Sequence, residues 1–126
     1  MLLNELIQIP ELKFTVKAGH EQLDRAIEGA YASDLLSHVM ARAREGNIWV
    51  TIQAHQNIVA VATLLNLAGI VIAGGIEPQA DTLHKAEEEG VPIISTPLPA
   101  FQVIGRLYAL GIGAEADHGQ TELAQS

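Results

Sequence analysis

Short apolar runs and amphipathic stretches alternate through the middle of the chain. Ile48-Trp49-Val50-Thr51-Ile52, Ile70-Val71-Ile72-Ala73 and Val91-Pro92-Ile93-Ile94 are nearly continuous in apolar residues. Such runs predict strands of a parallel sheet covered on both faces, because a solvated face would place a polar residue at every second position. Helix-like segments ending near a glycine separate the runs, and Gly46, Gly69, Gly90 and Gly111 recur every 21–23 residues. A leucine-rich solenoid has a similar period. The LxxLxL spacing is absent, so compact βα units are predicted instead.

The helices have readable ends. The first begins at Ser33 or Asp34, residue types whose side-chain oxygens cap helices, and carries Leu35, Leu36, Val39, Met40 and Ala43 on one stripe. Arg42 and Arg44 suit its last turn, and Gly46 suits a left-handed stop. Asn57–Asn66 is apolar on nearly every side and is expected in the core or against another chain. A third helix has Pro78 near its first turn and Gly90 at its end, with Asp81, Glu87, Glu88 and Glu89 on a solvated face. A fourth follows Pro99 and sets Phe101, Ile104, Leu107 and Tyr108 at helical spacing, a pattern expected to be core. Near the N-terminus, Leu2–Gln8 reads as a short helix. Phe14–Ala18 and Ile27–Ala32 read as strands around the polar stretch Gly19–Arg25. The expectation is an α/β fold: a single three-layer domain with a mostly parallel central sheet of about five strands and helices on both faces. Residues 1–112 are expected to form it, and 113–126, short of large apolar side chains, to be a polar, flexible tail.

Composition narrows the function classes. With 48% apolar and 17% charged residues, the 126-residue chain is globular rather than disordered. Seven Lys and Arg against fifteen Asp and Glu give a net charge of −8, which argues against nucleic acid and against anionic membrane surfaces as partners. No apolar run approaches the roughly 18 residues of a membrane span, and no basic leader with an apolar stretch opens the chain, so no signal peptide is expected. The absence of cysteine excludes disulfides, thiolate metal sites and cysteine nucleophiles, and fits the cytoplasm as the expected location. A mean hydropathy of +0.22 and the apolar Asn57–Asn66 helix predict a homodimer or higher oligomer.

Three segments point to a family. They are Gly29-Ala30-Tyr31-Ala32-Ser33-Asp34-Leu35-Leu36-Ser37, Ile70-Val71-Ile72-Ala73-Gly74-Gly75-Ile76-Glu77-Pro78 and Gly90-Val91-Pro92-Ile93-Ile94-Ser95-Thr96-Pro97. In this order they resemble the DRTGG domain over roughly residues 1–112. The resemblance implies a relative of the N-terminal domain of HPr kinase/phosphorylase. Such domains also occur as regulatory pieces beside paired CBS domains, in some phosphotransacetylases, and as stand-alone copies, some of them associated with iron-hydrogenase gene clusters. The chain departs from the family's naming motif, with Gln53-Ala54-His55-Gln56-Asn57 in place of the Asp-Arg-like pair and Ala73-Gly74-Gly75 in place of Thr-Gly-Gly.

Phosphoryl transfer of the HPr-kinase type needs a P-loop with a Lys and a Ser or Thr serving phosphate and Mg²⁺. Neither Gly74-Gly75 nor Gly111-Ile112-Gly113 is followed by Lys-Ser or Lys-Thr. The favoured expectation is therefore a non-catalytic regulatory or ligand-sensing module, binding a small anionic or nucleotide-like ligand or docking to a partner protein. In open parallel sheets, ligands lie outside the carboxyl ends of the strands. The loops expected there supply Gln53, His55 and Gln56, then Gly74 and Gly75, then Ser95 and Thr96. Glycine amides and a helix N-terminus would suit an anion, and the hydroxyls of Ser95 and Thr96 offer hydrogen bonds. Each feature also has a plainer reading: Gly74-Gly75 as a tight turn, His55 as a solvated loop residue, Asp34 as a helix cap. The alternatives are a small enzyme using His55 with Ser95 or Thr96, and an accessory subunit of a serine-kinase-like system. No motif specifies a cofactor. His20, His38, His84 and His118 make no HxH or HExxH spacing, so no metal site is expected.

Overall fold

In the computed structural model, which describes residues 1–113, the chain opens with helix α1 (Leu3–Ile7), a 3-10 turn at Pro10–Leu12 and strand β1 (Thr15–Ala18). Three βα units follow. Strand β2 (Gly29–Ala32) leads through α2 (Leu36–Arg42) to β3 (Asn47–Thr51), then through α3 (Asn57–Leu65) to β4 (Gly69–Ile72), and through α4 (Ala80–Glu89) to β5 (Ile93–Ser95). Helix α5 (Ala100–Ala109) comes last. Beyond Gly113, the tail expected over 113–126 lies outside the described residues.

The strand order is β1-β5-β4-β3-β2. The pairs β2–β3, β3–β4 and β4–β5 are parallel, as the apolar runs predict, whereas β1 pairs antiparallel with β5, so the sheet is mixed. Three crossovers stepping in one direction with one handedness bring α2, α3 and α4 to one face. There Trp49, Ile70, Ile72 and Ile93 meet Val39, Ile58, Val59 and Ala86. Alternate strand residues point the other way, and Ile48, Val50, Val71 and Ile94 pack with Leu3, Leu6, Leu12, Val103 and Leu107 from α1, the 3-10 turn and α5. Every residue of β3 and β4 is buried for this reason.

Several helix boundaries differ from those read off the glycines. Helix α2 ends at Arg42 with Ala43 extended, and Gly46 (φ +79°) sits instead in the turn before β3. Helix α3 stops on Asn66, which takes the left-handed conformation itself (φ 55°). Gly69 is instead the first residue of β4, where an added Cβ would lie 3.3 Å from Pro92. Gly90 and Gly111 end their helices as expected: Gly90 caps α4 with φ +69°, and Gly111 follows the last turn of α5 with φ +90°. The apolar sides of α3 are covered by α2 and α4, so Ile58, Val59, Val61 and Ala62 are core, although Leu64 is exposed. Helix α5 corrects a further expectation. Of its four apolar positions only Leu107 is buried, together with Val103, while Phe101, Ile104 and Tyr108 face outward.

One exposed carboxylate has a measurable consequence. Glu87 of α4 accepts the Gly19 N–H and lies 3.5 Å from the His20 imidazole. The Gly19 N–H in the main, with His20 adding, holds its carboxyl below the ordinary carboxylate value. A depressed folded-state value stabilises the fold at pH above the unfolded value, and this stabilisation is lost as pH falls through the folded one. Tm is therefore expected to drop as pH is lowered through the carboxylate range, and to drop less in Glu87→Gln. Parallel Tm–pH curves for the two proteins would contradict this.

Candidate functional site

The carboxyl ends of β3, β4 and β5 carry the predicted site residues, and there two loops part company. The β4–α4 loop leaves toward the face of α2–α4, while the β5–α5 loop leaves toward the opposite face with α5. Divergence of neighbouring loops is what opens a crevice in an open α/β sheet. Two backbone bonds stitch the loops at their base: the Gly74 N–H donates to the Leu98 carbonyl at 2.7 Å, and the Gly75 N–H to the Thr96 carbonyl at 3.0 Å. Gly74 and Gly75 both have positive φ, 75° and 70°, and that conformation makes the double stitch possible. Their amides are thus spent inside the fold, and the anion cradle expected from them is not formed.

Thr96 is committed in the same way. Its hydroxyl donates to the Leu12 carbonyl at 2.7 Å and accepts the Leu98 N–H at 3.2 Å, with the residue 1% exposed. It anchors the 3-10 turn to the β5–α5 loop. Ser95 is different. It is 8% exposed, and its buried Oγ has no hydrogen-bond partner among the described residues. A buried hydroxyl without a partner is uncommon, because its desolvation goes uncompensated. Ser95 lies under a cleft of about 180 Å³ bounded by Thr15 and Lys17 of β1, Gly75 and Glu77 of the β4–α4 loop, and Thr96 and Pro97. Antiparallel pairing sets Thr15 opposite Ser95. The register slips between Val16 and Ala18, which makes Lys17 the extra residue of a β-bulge, a device that re-aims a side chain. Its Nζ stands 4.0 Å from Glu77 Oε2.

The structure therefore brings Gly75, Ser95 and Thr96 to one cleft. Gln53, His55 and Gln56 do not line it. Gln53 donates through Nε2 to the Asp34 carbonyl at 2.9 Å, and exposed Gln56 precedes the first turn of α3. The exposed His55 accepts the N–H of Asn57, the first residue of α3, through Nδ1 at 3.1 Å. A Cβ added at Gly74 would lie 3.9 Å from Ile76 and 4.0 Å from Ile52. The His55 Nδ1 is engaged by the Asn57 N–H, and the Thr96 hydroxyl by Leu12 and Leu98.

Two organising residues escaped the sequence reading. Asp34 does not cap α2. Its Oδ1 accepts both the Thr51 hydroxyl and the Ile52 N–H at 2.8 Å, tying the β2–α2 loop to the end of β3. The Asp-after-strand signal was visible at this position, but its partners lie 17 and 18 residues on. Lys17 was visible as a strand residue, but its place beside Ser95 depends on a pairing far apart in sequence. Among the described residues no group of three or more His, Asp or Glu is placed to hold a metal ion, and no helix is long and apolar enough to cross a membrane.

Comparison with known proteins agrees with this arrangement of loops and strands. The family model of the DRTGG domain matches residues 10–110. The chain belongs to the DRTGG domain family. The HPr kinase/phosphorylases of Bordetella pertussis and Bordetella parapertussis are 26% identical over 110 residues, which span 77% of this chain and 36% of theirs. The chain thus spans about a third of the length of these curated relatives. Among solved structures, the CBS and DRTGG domains of the regulatory region of Clostridium perfringens pyrophosphatase superpose with a TM-score of 0.66 at 17% identity, over 89% of this chain and 50% of that one. That structure was determined with its activator, diadenosine tetraphosphate. The likeness establishes a shared DRTGG fold.

Proposed function

We propose that this DRTGG domain is a non-catalytic regulatory module of the cytoplasm that senses a small polar ligand at the carboxyl edge of its sheet. Residues 1–112 form the sensing unit in this reading, and 113–126 its tail. The observation that carries it is the unpartnered, buried Ser95 hydroxyl beneath an open cleft next to Lys17. Supporting it are the lack of a P-loop Lys-Ser or Lys-Thr pair in this chain and the regulatory context of the pyrophosphatase DRTGG domain. The ligand contacts are Gly75 and Ser95, with Thr96 and Gly74 holding the walls and Gln53, His55 and Gln56 forming the neighbouring loop. A thermal-shift screen of nucleotides, sugar phosphates, carboxylates and amino acids tests the reading. A ligand at a hundredfold excess over its Kd stabilises by about 2.7 kcal/mol, on the order of 10 °C in Tm for a domain of this size. The expected result is such a shift from one class, with amide perturbations centred on residues 74–77 and 95–97. Perturbations centred elsewhere would overturn the site, and transfer of labelled γ-phosphate from ATP, abolished by a substitution in this chain, would overturn the non-catalytic reading.

A second reading concerns assembly, and the α5 surface favours it. Phe101 is 87% exposed, and it shares its stripe with Ile104 and Tyr108 beside the outer strand β2. The edge Gly29-Ala30-Tyr31-Ala32 carries neither the Lys nor the Pro that guards many strand edges. A second copy related by a two-fold axis would pair β2 with β2 and cover both α5 stripes. Light scattering is expected to give twice the 13.5 kDa chain mass at micromolar concentration, and Phe101→Glu to give the single chain. A wild-type protein that stays at 13.5 kDa would defeat the dimer.

A further inference from the structure

The Ser95 cleft has a charge pattern that selects among ligands. Lys17 supplies one cation and Glu77 one carboxylate, 4.0 Å apart across the mouth, with Thr15 and Ser95 offering hydroxyls below. Building on the ligand-sensing reading above, we infer that the cleft takes an amino-acid-sized ampholyte, such as a small α-amino acid. In this assignment its carboxylate meets Lys17, its ammonium meets Glu77 and one polar atom meets Ser95 Oγ.

Three observations converge on this class. A simple anion would face Glu77, and the Gly74 and Gly75 amides that could offset the repulsion donate to Leu98 and Thr96 instead. A simple cation would face Lys17. A molecule carrying both charges on neighbouring carbons satisfies both residues, exchanging a long ion pair for two shorter charge-assisted bonds. Size agrees. About 180 Å³ falls below the roughly 300 Å³ at which pockets for drug-sized ligands begin, so a whole nucleotide does not fit inside. The side chains are also disposed to respond. Glu77 is 77% exposed along its side chain and free to turn, while Lys17 is 33% exposed and aimed by the bulge. The Ser95 hydroxyl, buried without a partner, is the group that gains most when a ligand arrives.

Lysine on an edge strand also discourages edge-to-edge aggregation, and that role makes no demand on Glu77 or Ser95. Titration of the ¹⁵N-labelled full chain with glycine, L-alanine and L-serine, each to about 10 mM as suits a small ligand of near-millimolar Kd, separates the two. Acetate, methylammonium and inorganic phosphate, each carrying charge of one sign only, serve as the single-charge probes. The amino acids are expected to shift the amides of Gly75, Ser95 and Thr96, and the single-charge probes to leave them in place. Lys17→Met and Glu77→Gln should each weaken amino-acid binding about tenfold, and Ser95→Ala several-fold, for loss of one charge-assisted or one neutral hydrogen bond. Lys17 and Glu77 reach solvent while Ser95 is buried beneath them, and circular dichroism confirms that each variant is folded. No response to any amino acid overturns the inference. So does phosphate or acetate binding that tightens in Glu77→Gln, which would leave the sensing function standing with a plain anion as its ligand.

Discussion

A Gly19→Ala variant is expected to lose about 2–5 kcal/mol of stability, a large share of the roughly 5–15 kcal/mol available to a domain of this size. Gly19 follows β1 with φ +74°, and an added Cβ would lie 2.5 Å from Pro92 N and from the carbonyl of Val91. Two costs combine. The left-handed conformation costs a residue with a Cβ about 1–2 kcal/mol. Overlap with backbone, which cannot rotate aside, adds about 1–3 kcal/mol. Gly74→Ala separates them, because Gly74 has φ +75° but no heavy atom nearer than 3.9 Å to the added Cβ. It should show the conformational cost alone, about 1–2 kcal/mol. Urea titrations with unchanged m-values make the comparison. Equal losses in the two variants would mean that the contact with Val91 and Pro92 carries no weight. Because Lys17 lies two residues before Gly19, a shift of this turn should also displace the one cation bordering the Ser95 cleft.

The parts of the fold set by local pattern were legible. Runs such as Ile70-Val71-Ile72 announce strands buried on both faces, and Gly90 announces the end of α4, because each signal is satisfied within a few residues. Signals that depend on distant partners were not legible. Gly69 reads as a helix stop, yet it is extended, and Pro92 explains the absent side chain. The left-handed stop of α3 is Asn66, whose Nδ2 donates to Glu45 and whose Oδ1 accepts from Arg25, contacts that follow only from the folded arrangement. The antiparallel attachment of β1 beyond β5 is equally non-local. On α5 the 3.6-residue period marks an apolar stripe, but periodicity does not say which stripe meets the sheet. Val103 and Leu107 take that place, which leaves Phe101 and Tyr108 outside.

The same division holds at the site. Parallel strands deliver their following loops to one edge, so the positions of Gly75, Ser95 and Thr96 could be placed there from sequence. Which of their polar groups remain available is a matter of hydrogen-bond accounting. Thr96 and Ser95 are adjacent residues carrying the same functional group. One alternates toward Leu12 and Leu98 and is satisfied, while the other faces the cleft and is not. The cation beside Ser95 comes from the opposite end of the chain, through the strand pairing that local pattern could not supply.

Trp49→Ala is expected to cost about 3–5 kcal/mol, the range for removing a fully buried large side chain. Trp49 is 0% exposed at the centre of the core beneath α2 and α3, and its indole Nε1 donates to the Ser33 carbonyl at 2.8 Å. Trp49→Phe isolates the polar part, since it keeps most of the apolar bulk but leaves that carbonyl without its donor, at about 1–3 kcal/mol. Denaturation followed by far-UV circular dichroism measures both, because Trp49 is the sole tryptophan and its fluorescence is lost with it. A Trp49→Ala loss below about 1 kcal/mol would mean that α2 and α3 close over the gap without penalty. The smaller substitution reaches toward the carboxyl edge. Ser33 precedes Asp34, whose carboxylate holds Thr51 and Ile52 at the exit of β3. Freed of the indole, that loop should open more often, and the Ile52 amide should exchange faster in Trp49→Phe, whereas Val71 in the sheet centre should slow or quicken only with global stability. An Ile52 rate that merely tracks Val71 would show that the Ser33 bond does not position the loop.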